Sequence, residues 1–348
     1  MMGRMENGCE AGYWTTEGTG GDVRCGLCPH ACLVAPGRRG RCGVRANAGG
    51  AMRSLSWGRP VAVAVDPVEK KPLYHFLPGR DVLSLGTLGC NLSCRFCQND
   101  TLSRPAPEDV AALARERALS PEEVAAAAQE RGVPMVAFTY NEPAVWAEWA
   151  VECAAACREV GVRTVAVTNG YIAGAARRDF FGAMDAANVD LKSFGDAFYR
   201  RQCGARLAPV LETLEWIRRE TRCWLEVTTL LVPGLNDSEA EISALAGWVA
   251  ERLGADTPLH FSAFHGACEM ADAAPTPPET LLRARRTAKA CGLRHVYLGN
   301  VRLPGGGDTH CPRCGDLLVK RNGYAVRSRW QAPGICPSCT APCPGVWT

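Results

Sequence analysis

The chain has 348 residues, 47% of them hydrophobic and 22% charged, enough for one large core with smaller appendages rather than a row of equal domains. No apolar run approaches the roughly 18 residues that a membrane span needs, residues 1–7 carry no apolar stretch behind their charge, and a formal net charge of +3 is too small to make nucleic acid the expected main partner. A soluble, cytoplasmic protein without a secretory signal is expected, and 19 cysteines in so long a chain point to metal rather than to a disulfide scaffold.

In chain order, residues 1–20 read as a flexible leader and 21–80 as a Cys-rich metal-binding segment and connector, with little periodicity before about residue 60. From 81 to 303 short apolar runs alternate with amphipathic stretches. Strands are expected at 82–88, 133–139, 162–168, 188–191, 224–231 and 259–264, with 295–300 as a seventh. Helices are expected at 144–160, 173–184, 209–220, 238–253 and 279–291, and another opens at the capping box Ser120-Pro121-Glu122-Glu123. Further boxes read Ser238…Glu241 and Thr276…Glu279. Strands alternating with helices imply parallel βα units, hence a barrel or an open α/β sheet. Pro304-Gly305-Gly306-Gly307 reads as a linker into a final Cys-rich module, 304–348.

The cysteines fall into groups. Cys25, Cys28, Cys32 and Cys42 have an irregular spacing that leaves zinc and an auxiliary cluster open; His30 reads as a non-ligand, since four thiols already complete a site. Cys90, Cys94 and Cys97 form a CxxxCxxC loop just after the first core strand. Three thiolates so close can hold three corners of an iron–sulfur cube and leave one iron free to bind something small. Cys153 and Cys157, four apart on one helix, read as a small apolar core face. Cys311, Cys314, Cys336 and Cys339 form two CPxC knuckles 21 residues apart, a tetrahedral four-sulfur set for zinc or iron, with Cys343 as a spare or alternative ligand. Only five of the 39 basic residues are lysine: Lys70, Lys71, Lys192, Lys289 and Lys320. Lys70 and Lys71, beside Glu69, read equally as a solvated charge cluster.

The CxxxCxxC loop with Phe96 before its last cysteine resembles the radical S-adenosylmethionine (SAM) superfamily. The resemblance implies a partial (β/α)6 barrel, which stands between the N-terminal Cys-rich segment and the C-terminal zinc-ribbon or rubredoxin-like module that the cysteine spacing suggests. It also implies a [4Fe-4S] cluster on Cys90, Cys94 and Cys97 whose open iron is chelated by SAM, and reductive cleavage of SAM to methionine and a 5′-deoxyadenosyl radical. Glu142, in Thr139-Tyr140-Asn141-Glu142-Pro143, stands where the superfamily has a Gly-Gly-Glu-type segment that meets the SAM amino group; Tyr140-Asn141 replace the double glycine. Asn169, Asp190 and Lys192 sit in segments that look like the SAM-pocket lining of the activase of pyruvate formate-lyase. By the same likeness Phe96 borders SAM, and His260 and His265 are candidates to meet SAM or substrate.

A narrower resemblance rests on Cys28-Pro29-His30, on the block from Asp66 to Gly79, on Gly89-Cys90-Asn91, on Tyr140-Asn141-Glu142-Pro143 and on the tail ending Pro344-Gly345-Val346-Trp347. These are similar to the AmmeMemoRadiSam system radical SAM enzymes, which implies Memo-like and AMMECR-like protein partners and an electron donor such as flavodoxin or ferredoxin. Asp100-Thr101 stand where that family leads one to expect an aromatic. Two other readings stay open: activation of a glycyl-radical enzyme, and a ribbon that binds nucleic acid through Arg313, Lys320, Arg321, Arg327 and Arg329.

Overall fold

Residues 8–348 are described in a computed structural model. Cys9–Glu10 (β1), Trp14–Glu17 (β2), Asp22–Cys25 (β3), Leu33–Val34 (β4), Arg45–Ala48 (β5) and Ala51–Ser54 (β6) pair into two small antiparallel sheets, ordered β2-β3-β4 and β1-β6-β5. The flexible leader expected at 1–20 is therefore corrected over its described part. β1 and β2 are paired, and the Gly12 amide donates to Glu148 in the core domain (2.8 Å). Strands of two to four residues are too short to show a period of two in the sequence. Residues 1–7 of that leader lie outside the described residues.

One eight-stranded sheet organises the rest: Ala62–Pro67 (β7), Asp81–Gly86 (β8), Met135–Phe138 (β9), Arg163–Thr168 (β10), Ala186–Asp190 (β11), Trp224–Leu231 (β12), Leu259–Ala263 (β13) and Val296–Gly299 (β14), laid side by side in chain order. β8 to β14 are all parallel and β7 is antiparallel to β8. The seven expected core strands are present, while β7 is an addition, so the main sheet begins at Ala62 and not at residue 81. β9 and β13 are buried along their whole length, as parallel strands covered by helices on crossover connections must be. Packed against β9, Trp146 and Trp149 lie 4.7 Å apart beside Phe138, and Cys153 and Cys157 are buried in the same core.

The capping signals divide. Ser120 accepts from the Glu123 amide (3.2 Å) while Glu123 accepts from the Ser120 amide (2.8 Å), and helix Pro121–Glu130 follows. Ser238 caps Glu239–Trp248, but Glu241 turns away to accept from the Phe194 amide (2.6 Å). The Thr276…Glu279 box does not form. Thr276 Oγ1 instead donates to the Leu231 carbonyl (2.6 Å) and accepts from the Phe264 amide (2.8 Å), which ties the ends of β12 and β13 together.

The chain ends in a third antiparallel sheet, Thr309–His310 (β15), Leu317–Asn322 (β16) and Ala325–Ser328 (β17). Arg321 of β16 is inserted into the core domain. Its guanidinium donates to the Tyr74 carbonyl (2.7 Å) and Thr309 Oγ1 (2.8 Å), lies over the Tyr74 ring at 4.3 Å, and faces buried Glu69 at 3.5 Å. One of the five basic residues considered for a nucleic-acid face thus serves an internal joint.

Beside this joint, Glu226 of β12 is fully buried. Its carboxylate accepts from the Tyr74 amide (3.0 Å), the His75 amide (2.8 Å) and Trp224 Nε1 (3.1 Å), and meets His260 Nε2 at 2.6 Å. Glu226→Leu leaves those donors buried without an acceptor, and a loss of about 3–5 kcal/mol is expected. Glu226→Gln, which keeps the shape and one acceptor, should lose less. Urea unfolding midpoints measure both; a leucine variant as stable as the parent would contradict this account.

Candidate active site

Past β8 the chain turns into the CxxxCxxC loop at Gly89, whose φ of +91° and lack of a side chain are both needed: a Cβ there would lie 2.5 Å from the Cys42 carbonyl. Asn141 clamps the same turn, accepting from the Thr87 amide (3.0 Å) and donating to the Gly89 carbonyl (2.7 Å). Cys90, Cys94 and Cys97 then line one cavity of about 480 Å³, together with Phe96, which packs 5.7 Å from Phe198.

Polar groups surround the thiols. The Leu92 amide points at Cys90 Sγ (3.4 Å), Asn169 Nδ2 approaches it at 3.8 Å, and Cys97 Sγ pairs with Ser103 Oγ (3.5 Å). A hydrogen bond from buried Cys203, opposed by burial and helped by Lys192, holds the Cys94 thiol below its ordinary range. N–H donors aimed at sulfur are what cluster thiolates require, so this loop fits a [4Fe-4S] group.

The other walls come from successive strand ends. Glu142, after β9, is 2% exposed, and its carboxylate accepts from Thr168 Oγ1 (2.7 Å), the Asn169 amide (2.8 Å) and the Ala144 amide (2.9 Å). Burial nevertheless pushes its carboxyl up from 4.5 to about 7. Asn169, after β10, also donates to Asn91 Oδ1 (2.8 Å), tying the cluster loop to this strand. Lys192, just past β11, donates to Asp190 (2.7 Å); burial opposes its charge, but Asp190 and Cys94 raise its pKa overall. Thr228 of β12, Ser262 of β13 and Asn300 after β14 complete the ring.

Glu142, Asn169, Asp190, Lys192 and Phe96 are therefore brought together with the thiol triad. The histidines are not among the lining residues. His260 is turned toward Glu226 at 2.6 Å, and His265 meets the cavity through Gln98, whose side chain it contacts at 2.9 Å.

Missing from the sequence-based set are three more lining residues, Lys70, Lys71 and Tyr140. Lys71 is buried rather than solvated. Asp66 accepts from Lys70 and Lys71 (both 2.7 Å) and from the Tyr140 hydroxyl (2.6 Å), and Lys71 lies 4.5 Å over the Tyr140 ring. Tyr140 has φ +71°, the left-handed conformation that glycine adopts at no cost, and these contacts hold a tyrosine there. The scarcity of lysine in an arginine-rich chain was the available signal.

The terminal thiols differ from one another. Cys311–Cys339 and Cys314–Cys336 sulfurs are each 3.6 Å apart, near the edge of a tetrahedron with metal–sulfur bonds of about 2.3 Å. Among the described residues, neither Cys25, Cys28, Cys32 and Cys42 nor the central triad has all its sulfurs within 4.8 Å of one another. Amides of residues 30 and 44 do point at Cys28 and Cys42. His30 contacts the Asn91 carbonyl through Nε2 (2.8 Å).

Residues 85–246 match the model of the Radical SAM superfamily. An uncharacterised protein of Methanocaldococcus jannaschii is 40% identical over 86% of this chain and 87% of its own length. Similar solved structures include a domain of the pyruvate-formate lyase-activating enzyme of Bacteroides vulgatus (16% identity, 47% of this chain and 98% of that one, TM-score 0.42). SuiB of Streptococcus suis (14%, 67% and 52%, TM-score 0.47) and a radical SAM methyltransferase of Sphaerobacter thermophilus (18%, 70% and 71%, TM-score 0.44) are similar as well. The Radical SAM domain at residues 85–246 supports an iron–sulfur enzyme and implies a [4Fe-4S] cluster and SAM. The chain as a whole belongs to one family with the M. jannaschii protein. No helix of the described residues is long and apolar enough to cross a membrane.

The raised carboxyl of Glu142 has a measurable consequence. In the unfolded chain this group ionises near 4.5 and in the folded apoprotein near 7, so between those values the folded state holds an extra proton and stability falls as pH rises, by about 3 kcal/mol in total. Glu142→Gln should remove that slope and leave the apoprotein relatively more stable at pH 8 than at pH 5. Urea midpoints at both pH values provide the check; parallel behaviour of the two proteins would contradict the assignment.

Proposed function

We propose that the protein is an oxygen-sensitive radical SAM enzyme whose parallel strands curl into a partial barrel around the cavity at their C-terminal ends. The supporting observation is that residues following β8 and β14, far apart in the order of the sheet, line the same cavity as the thiol triad. When bound, the cluster supplies one electron for cleavage of SAM to methionine and a 5′-deoxyadenosyl radical, which takes hydrogen from a substrate.

In this reading Cys90, Cys94 and Cys97 hold three irons and leave the fourth to SAM. Glu142 receives the SAM ammonium; a cation there opposes the burial that raises its pKa and keeps it ionised. Phe96 shields the cluster from water, Asn169 orients Cys90, and Lys192 places a positive charge toward the SAM carboxylate while Asp190 holds it in line. His265 reaches the substrate side of the cavity through Gln98. The Cys311, Cys314, Cys336 and Cys339 set holds zinc, favoured over iron only by the ribbon-like setting. The wider N-terminal set fits an auxiliary iron–sulfur cluster better than a single zinc ion.

For partners, an acidic electron carrier such as flavodoxin or ferredoxin suits a second cavity of about 480 Å³, which shares Cys90 with the first and is lined by Arg41, Arg200 and Arg201 together with Arg95 and Arg104, the last two paired with Glu269. Membership of the AmmeMemoRadiSam group and Memo-like and AMMECR-like partners rest on the sequence resemblance, and a cytoplasmic location on the composition of the chain. Activation of a glycyl-radical enzyme is the second reading. It shares every residue above and differs only in what enters the cavity.

The test is anaerobic reconstitution, reduction and addition of SAM. The parent protein should yield 5′-deoxyadenosine, and a variant with all three of Cys90, Cys94 and Cys97 replaced by alanine should yield none; equal yields would sink the mechanism. Deuterium moving from a small molecule into 5′-deoxyadenosine would favour modification of a metabolite, and a glycyl-radical signal on a co-purified protein the activase reading.

A further inference from the structure

The end of the sheet opposite the cavity holds a second set of metal-competent side chains that the radical chemistry does not use. His75 lies in the connector before β8, His295 immediately before β14, and Cys343 near the end of the chain, and one ligand atom of each lies within 4.8 Å of the other two. All three are buried, with relative exposures of 0%, 2% and 4%. His295 Nε2 has no hydrogen-bond partner, its nearest carboxylate being Asp256 at 3.9 Å. A buried ring nitrogen without a partner is costly and marks a place where a ligand is missing.

We infer that His75, His295 and Cys343 form a metal site for a divalent transition ion, zinc by its ligand chemistry, distinct from both four-cysteine sets. Two imidazoles and a thiolate are a borderline-soft donor set that fills three of the four positions of tetrahedral zinc and leaves the fourth to water. Burial lowers the pKa of both histidines, so their ring nitrogens are neutral and able to ligate. Burial likewise raises the Cys343 thiol to about 12, so ion uptake must release its proton.

The surroundings are already those of a ligand shell. His75 touches the Pro344 carbonyl through Nδ1 (2.6 Å) and the Tyr297 hydroxyl through Nε2. Binding the ion through one of these nitrogens exchanges one contact and leaves the other to fix the tautomer, the usual outer-shell arrangement of a metal-bound histidine. If Nε2 is the ligand, Tyr297 keeps Thr309 Oγ1 as a partner at 2.9 Å, and Thr309 in turn accepts from Arg321. The ion would join connector, sheet and tail at one point, next to the Arg321 joint.

The experiment uses the full chain, anaerobically reconstituted and then loaded with zinc, cobalt(II) or cadmium-113. His295→Asn and Cys343→Ser should each bind one equivalent of zinc fewer than the parent, with iron and sulfide content unchanged. Cys314→Ser should lose a different equivalent. On the unmodified protein, cadmium-113 resonance and cobalt absorption should show a site with mixed nitrogen and sulfur ligands. That signature is diagnostic because both four-cysteine sets are all-sulfur, and it does not depend on a variant folding. Zinc stoichiometry unchanged in folded His295→Asn and Cys343→Ser, or only all-sulfur signals from the parent, would overturn the site.

Discussion

Everything about the catalytic end follows from a single constraint: seven strands run parallel in chain order, so each must be followed by a crossover and each presents its C-terminal end to the same side. Residues separated by more than two hundred positions, such as Cys90 and Asn300, become neighbours of one cavity without any long-range sequence pattern. The hydrogen bonds from Asn169 to Asn91 and from Thr168 to Glu142 then stitch adjacent loops together, so the thiols are held by strands and not by their own loop alone.

The opposite end is governed by buried charge. Glu226 gathers donors from three segments, and Arg321 carries a cation from the terminal sheet into the core, where aromatic faces and carbonyls replace its water. Exchanging a whole network of this kind for apolar groups of the same shape changes stability little, whereas removing one member strands its partners, and the network tolerates only one arrangement. It therefore fixes how the tail sits on the sheet, which dispersion contacts alone would leave less specific.

Much of this was legible in the sequence. β12 falls on 224–231 as expected, because branched residues bounded by turns leave little choice, and the thiol triad and Glu142 are at the cavity because their motif and strand-end positions are local signals. Other features were not legible. Short N-terminal strands lack a period, and β7 is an antiparallel edge strand with Val63 and Val65 exposed on an otherwise buried sheet. Thr276 resembled a helix cap until the nearby Leu231 carbonyl and Phe264 amide claimed its hydroxyl. His260 looked like a pocket residue and shares a face of β13 with the lining Ser262, but it lies two residues nearer the start of the strand, where Glu226 holds it below the cavity.

Cys90 borders both the first cavity and the arginine-lined second one. Leu92 and Ser103 border both as well. Under the proposed function, a cluster held by Cys90 would stand beside a donor at the second cavity while a substrate occupies the first, so recharging and turnover would not need to share a doorway.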